Sequence, residues 1–224
     1  MSDKPVSPRH PLSSAPDFSR RQALRLLGTL IPSALLMPLA GCTWKPEIVH
    51  NDPTFTSHDL VDGKLAIMPV KFDNDKAKIQ ERVRCVQLFW RAVQQTREDI
   101  PLVSTATLND AISGDLDQEA KLLQIYDAKL DDPKAIAPFH DSIPARYLVL
   151  SRLNYDQHSV GDGRLVESTL TGNVSILDTT TGRIVWEGKF SSTKSGIDTV
   201  MDPSPSKHGL AFFSTFVNGW PAPA

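Results

Sequence analysis

The chain has 224 residues, 40% hydrophobic and 22% charged, with 24 basic and 26 acidic side chains and a net charge of −2. That is the size of one domain, or one domain with a tail. The charge excludes a strongly basic nucleic-acid binder, and a mean hydropathy of −0.22 excludes a polytopic membrane protein. Two cysteines, Cys42 and Cys85, exclude a disulfide-dense scaffold and an all-cysteine zinc site, and leave one disulfide open.

Residues 1–21 are polar and end in Ser19-Arg20-Arg21, and the stretch from Leu26 to Gly41 carries no charge and holds Pro32 and Pro38. Sixteen residues is short for a spanning helix, which needs about 20. A basic start, a short apolar run and a small-residue exit mark a secretory signal. The exit Leu39-Ala40-Gly41-Cys42 resembles the bacterial lipobox. The resemblance implies cleavage after Gly41 and a lipidated Cys42 as the new N-terminus, attached through a thioether to diacylglycerol. Three acyl chains hold a protein to a bilayer without a spanning helix. Thr43, where aspartate would imply inner-membrane retention, favours the periplasmic face of the outer membrane. Arg20-Arg21 with its flanks resembles a twin-arginine signal, departing from the pattern at Ala23 and Arg25. General secretory and twin-arginine export both remain open. With Cys42 lipidated, Cys85 is expected to be a buried free thiol.

Residues 1–41 hold five of the 24 basic and two of the 26 acidic side chains, so the mature remainder carries −5. Residues 42–61, with Pro46, Asn51 and Pro53 and no sustained period, read as a lipid-bearing tether. Trp44 there is either interfacial or simply exposed. Residues 62–224 read as one periplasmic domain. Lys64–Phe72 is a nearly continuous apolar run and predicts a buried strand, with Pro69 near its end. Asp75 caps a predicted helix whose apolar stripe is Ile79, Val83, Val86, Trp90 and Val93, flanked by Cys85 and Phe89. Ile100–Ser104 predicts a short strand and Thr107–Ile112 a brief helix. Asp115 and Gln118 resemble a capping box for a helix with Leu116, Ala120, Leu123 and Leu130 inside. Residues 131–144 read as a loop. Arg146–Leu153 predicts a central strand, and Asp156–Gly163 a polar loop. Val166 to Ile176 alternates with period two, Thr179–Gly182 is a turn, and Ile184 to Phe190 is the returning arm. A loop with Pro203 and Pro205 leads to a final helix, Gly209–Val217.

The residues offer little catalytic chemistry. The six histidines lie in predicted loops or tails with no i, i+4 pair, and neither a Gly-x-Ser-x-Gly elbow nor a positioned Cys-His pair is present. Gly182–Phe190 has phosphate-loop character but wrong spacing, and reads as a strand. Asp73, Asp75, Asp131 and Asp132 lack the calcium-loop pattern. Asn173-Val174-Ser175 fits a glycosylation triplet, which means little in a bacterial exported protein. No cofactor and no metal site is expected.

Three segments carry a wider resemblance: Leu65-Ala66-Ile67-Met68-Pro69-Val70, Ala145-Arg146-Tyr147-Leu148-Val149-Leu150, and Val174 to Trp186 with Asp178 and Thr181-Gly182 at its turn. Over roughly residues 64–220 the chain resembles the envelope lipoproteins related to the curli-secretion lipoprotein and the penicillin-binding-protein activator lipoprotein. It departs at Arg152, and it has no second pair of long alternating strands for a barrel. The resemblance implies an α/β fold, a three-layer sandwich with a mixed central sheet, a strand-helix-strand start and a C-terminal β-hairpin followed by a helix. It also implies a non-enzymatic accessory or activator working through protein–protein contacts in cell-envelope assembly. Envelope proteins, the membrane (through the lipid) and a homo-oligomer are the expected partners; nucleic acid is not. The contact loops are 131–144 and 156–163. The alternative is a ligand-binding or hydrolytic enzyme using Asp156, His158, Asp162 and His208.

Overall fold

The computed structural model describes residues 45–73, 79–113, 140–160, 165–197 and 204–223. The chain divides into two compact units, Met1–Cys42 and Thr43–Ala224. The signal and its site residues Arg20, Arg21, Leu39, Ala40, Gly41 and Cys42 lie outside the described residues, as do Asp75, Asp115, Gln118 and Asp162.

The second unit is α/β. Its strands are β1 (Glu47–Asn51), β2 (Leu65–Ile67), β3 (Lys71–Phe72), β4 (Tyr147–Val160), β5 (Leu165–Asp178) and β6 (Arg183–Ile197). Among the described residues the named helices are α1 (Ser57–Gly63), α2 (Ile79–Thr96), α3 (Thr105–Ser113) and α4 (Gly209–Val217), with a 3-10 turn at Pro205–His208. The sheet runs β1-β6-β5-β4-β2, and β3 also pairs with β4. β2 and β3 are parallel to β4 while the other pairings are antiparallel, so the sheet is mixed.

Two cores flank it. On one face α2 and α4 pack with Cys85, Phe89, Val93, Phe212, Phe213 and Phe216 against Val149, Leu153, Leu170 and Val174. On the other, Leu108 and Ala111 of α3 join Met68, Ile143, Leu148, Leu150 and Leu177. The burial strings locate the third layer. Residues 147–151 of β4 and 174–178 of β5 are buried on both faces, whereas 166–173 alternate and 156–159 are exposed. The sandwich thus has three layers at the hairpin end and opens into a ribbon with one wet face at the other.

Several expectations are corrected. Of the expected tether, 42–61, residues 47–51 and 57–61 lie within folded elements: β1 pairs along β6, and α1 opens on a capping box in which Thr56 and Asp59 satisfy each other. Phe55 and Leu60 reach the core. The run Lys64–Phe72 is two strands, because Ile67 pairs Val149 and Lys71 pairs Arg152; Pro69, with no N–H to give, sits in the one-residue excess between. Ile100–Ser104 makes a single bridge, Leu102 to Leu65, rather than a strand. The stripe on α2 is rotated. Val83 is 53% exposed while Cys85, Phe89 and Ala92 are fully buried, because α4 presses against that side. Asp156–Val160 is strand, not loop, held by pairing to 165–169. α4 is found at the residues expected.

Cys85 is free and buried, and burial pushes its thiol up to about 12, with Glu81 nearby adding to the effect. That thiol is inert at neutral pH.

Candidate contact site at the hairpin end of the sheet

The three segments that carry the family resemblance meet at one end of the sheet. Leu65 of β2 pairs with Tyr147 of β4, and Tyr147 pairs with Asp178 of β5. The β5–β6 turn closes with Gly182 N–H donating to Asp178 O at 2.8 Å, and Gly182 takes φ 70°, a conformation glycine adopts without a Cβ clash. Asp178 also accepts from Thr180 N–H at 2.9 Å, an Asx turn that fixes its carboxylate.

Arg146, one residue before β4, is the centre of this end. Its Nη2 reaches Asp178 Oδ2 at 2.9 Å and its Nε reaches Oδ1 at 3.3 Å, a bidentate pair. The Asp178 side chain is 4% exposed and that of Arg146 43%, so the carboxylate is buried and the guanidinium faces water. Arg146 also lies 5.0 Å from the Tyr147 ring centroid. Hydrogen bonding to Asp178 raises the Arg146 pKa against a smaller opposing effect of burial. Burial, helped by Asp178, pushes the Tyr147 phenol up to about 12. Thr179 donates both N–H and hydroxyl to Arg146 O, at 2.8 and 2.9 Å. Its one proton so used, Thr179 Oγ1 accepts from His140 Nδ1 at 3.0 Å.

Two recesses share Arg146 as a wall. One, of about 370 Å³, is lined by Asp62, Lys64, His140, Pro144 and Thr180. The other, of about 170 Å³, is lined by Asp52, Asp59, Tyr147, Asp178 and Arg183. Hydrogen bonds from the Thr54 hydroxyl and amide hold Asp52 below the usual carboxylate range. Burial works to raise Asp59, but the Thr56 hydroxyl and amide and the Arg146 charge together hold it low. Asp52 and Asp59 are thus held low by a turn and a cap, and Asp178 is tied to Arg146. Such a rim is polar and charged, and in its hydroxyl–imidazole contact, Thr179 to His140, the hydroxyl also donates to the Arg146 carbonyl. Among the described residues, no group of three or more His, Cys, Asp or Glu is placed to hold a metal ion.

The histidines of the hydrolytic alternative are not brought together. His158 is exposed on β4 and pairs with Glu167 at 3.1 Å. His208 is 3% exposed, with Nδ1 3.2 Å from Ser192 Oγ and Nε2 3.4 Å from Ser168 Oγ. Glu167 and Ser168 are neighbours on a strand, so their partners lie on opposite faces of the sheet. Asp156 is exposed beside His158. Of the expected contact loops, residues 140–144 reach the larger recess through His140 and Pro144. Sequence reasoning missed Arg146–Asp178 as a pair, although both stand inside the quoted motifs.

Burial, with Lys194 adding to it, pushes His208 down from 6.5 to about 4. In the unfolded chain the ring protonates near 6.5, and in the folded chain only near 4. The unfolded state thus binds more protons across that window, and stability falls as pH drops through it, by about 3 kcal/mol at full extent. Urea unfolding between pH 7 and pH 4 checks this: His208→Gln should flatten the decline, and an unchanged slope counts against it.

No family model matches the chain. No curated protein matches it either. Solved structures do. The PelC dodecamer from Paraburkholderia phytofirmans is similar at 12% identity and TM-score 0.43, over 72% of this chain and 89% of that one. Lipoprotein GNA1162 from Neisseria meningitidis is similar at 10% identity and TM-score 0.43, over 62% and 87%. The LpoB C-terminal domain from Escherichia coli is similar at 16% identity and TM-score 0.38, over 59% and 84%.

Proposed function

We propose that this chain is a lipid-anchored accessory protein of the bacterial cell envelope, non-enzymatic, held by Cys42 at the periplasmic face of the outer membrane. It acts by binding other envelope proteins at the Arg146 end of the sheet. The observation that carries the reading is the convergence there of all three motif segments on a charged, recessed rim centred on the Arg146–Asp178 pair. The lipobox supplies the location. Among the described residues no helix is long and apolar enough to cross a membrane. With His158 and His208 on opposite faces, no observation favours the hydrolytic alternative.

A crosslinking pull-down from envelope extracts tests this with two variants. Cys42→Ala should leave the membrane fraction. Arg146→Ala should stay there but recover severalfold less of the envelope partner, since its guanidinium is the exposed half of the pair. Recovery of no envelope partner by the wild type, or undiminished recovery by Arg146→Ala, overturns the assignment.

A further inference from the structure

Ile48 and Val49 on β1 are 45% and 46% exposed; among the described residues only Val83 joins them as an exposed large hydrophobic side chain. β1 is an edge strand, paired on one side only, and every one of its residues is exposed. Its pairing with β6 slips between Ile48 and His50, leaving Val49 as the bulged residue. A short, bulged edge is a poor template for a further strand. These two apolar side chains therefore call for an occupant that is not a β-strand.

The covalent chain points to one. Pro46, immediately before β1, is buried. A Cβ on Gly188 would lie 3.3 Å from Pro46 Cβ, and one on Gly219 only 2.6 Å from Pro46 Cγ, so both glycines make room for that ring beside Trp186. The buried Pro46 ring stands only four residues after Cys42. Four residues reach at most about 14 Å even when fully extended. The headgroup layer on each side of a bilayer is itself about 5–7 Å deep. A lipid on Cys42 holds β1 against the membrane surface, with little freedom to turn another edge toward it.

We propose that the β1 edge is a membrane-contact face, with Ile48 and Val49 seated in the headgroup layer. This rests on lipidation of Cys42. It also orients the domain, because the anchor is too short to let it swing freely.

The test uses the lipidated mature protein in vesicles of phosphatidylethanolamine and phosphatidylglycerol. Ile48→Cys, Val49→Cys and, as reference, Thr193→Cys on exposed β6 each carry an environment-sensitive fluorophore. Cys85 is fully buried and stays unlabelled. The expected result is a blue-shifted probe at 48 and 49, quenched severalfold less by aqueous iodide than the probe at 193. Equal quenching at all three positions, in chains that float with the vesicles, overturns the proposal and leaves the anchor intact. Shielding in native envelope membranes but not in lipid vesicles also overturns it, and assigns the edge to a protein partner. A chain that fails to float and whose mass shows no lipid on Cys42 removes the anchor, and the proposal with it.

Discussion

Phe213→Ala should destabilise the folded unit by about 4 kcal/mol, a large share of the roughly 5–15 kcal/mol by which domains are stable. Phe213 is fully buried on α4. Its ring centroid lies 5.2 Å from that of Phe89 on α2 and 5.3 Å from that of Phe212, the second pair edge to face at 88°. Truncation removes a large buried apolar side chain and two aromatic contacts. It also leaves a cavity between two helices that the sheet prevents from closing. Phe213→Leu keeps most of the volume and should lose about 1 kcal/mol. Urea unfolding of the detergent-solubilised protein measures both. A loss below about 1 kcal/mol for the alanine variant would show that the α2–α4 interface collapses onto the gap.

The same helix shows what the amino-acid order makes legible. Gly209–Val217 is an apolar block after a proline-bearing stretch, and it forms a helix that buries Phe212, Phe213, Phe216 and Val217, while the one buried hydroxyl, Thr215, donates back to Ala211 O. β5 and the first half of β6 are legible through alternation. Ser191 to Ile197 is not, since its side chains are mostly polar; it is strand because each residue finds a partner on β5. β1 carries no alternation because neither of its faces is covered, so its pairing with β6 leaves no periodic trace. On α2, Val83 and Phe89 both fit a helical stripe, and only the position of α4 decides which is buried. The Arg146–Asp178 pair joins residues that are 32 apart in the chain, so it depends on a strand register that composition does not encode. The lipid-anchor residues are legible as a motif alone.

Arg97→Met should cost about 3 kcal/mol, although methionine fits a buried site and arginine carries a charge. The Arg97 side chain is 4% exposed just past the end of α2. Its Nε and Nη2 each donate at 2.8 Å to Asp99, Nη2 donates to Ser57 Oγ at 2.9 Å, and Nη1 donates to the carbonyl of Pro221. One guanidinium thereby ties the α2 end to the start of α1 and to the C-terminal segment. Asp99, 35% exposed, regains water when the arginine is lost, but Ser57 and Pro221 O are left with less compensation. Arg97→Lys keeps the charge without the fork and should recover less than half of the loss. The consequence reaches the edge assigned to the membrane. Trp186 Nε1 donates to Gly219 O at 3.1 Å, two residues from Pro221, and Gly219 is one wall of the site that seats Pro46. Loosening Pro221 should therefore speed hydrogen exchange at the Trp186 indole N–H well before global unfolding. Unchanged exchange there, with the stability loss present, would separate the Arg97 tie from the seating of β1.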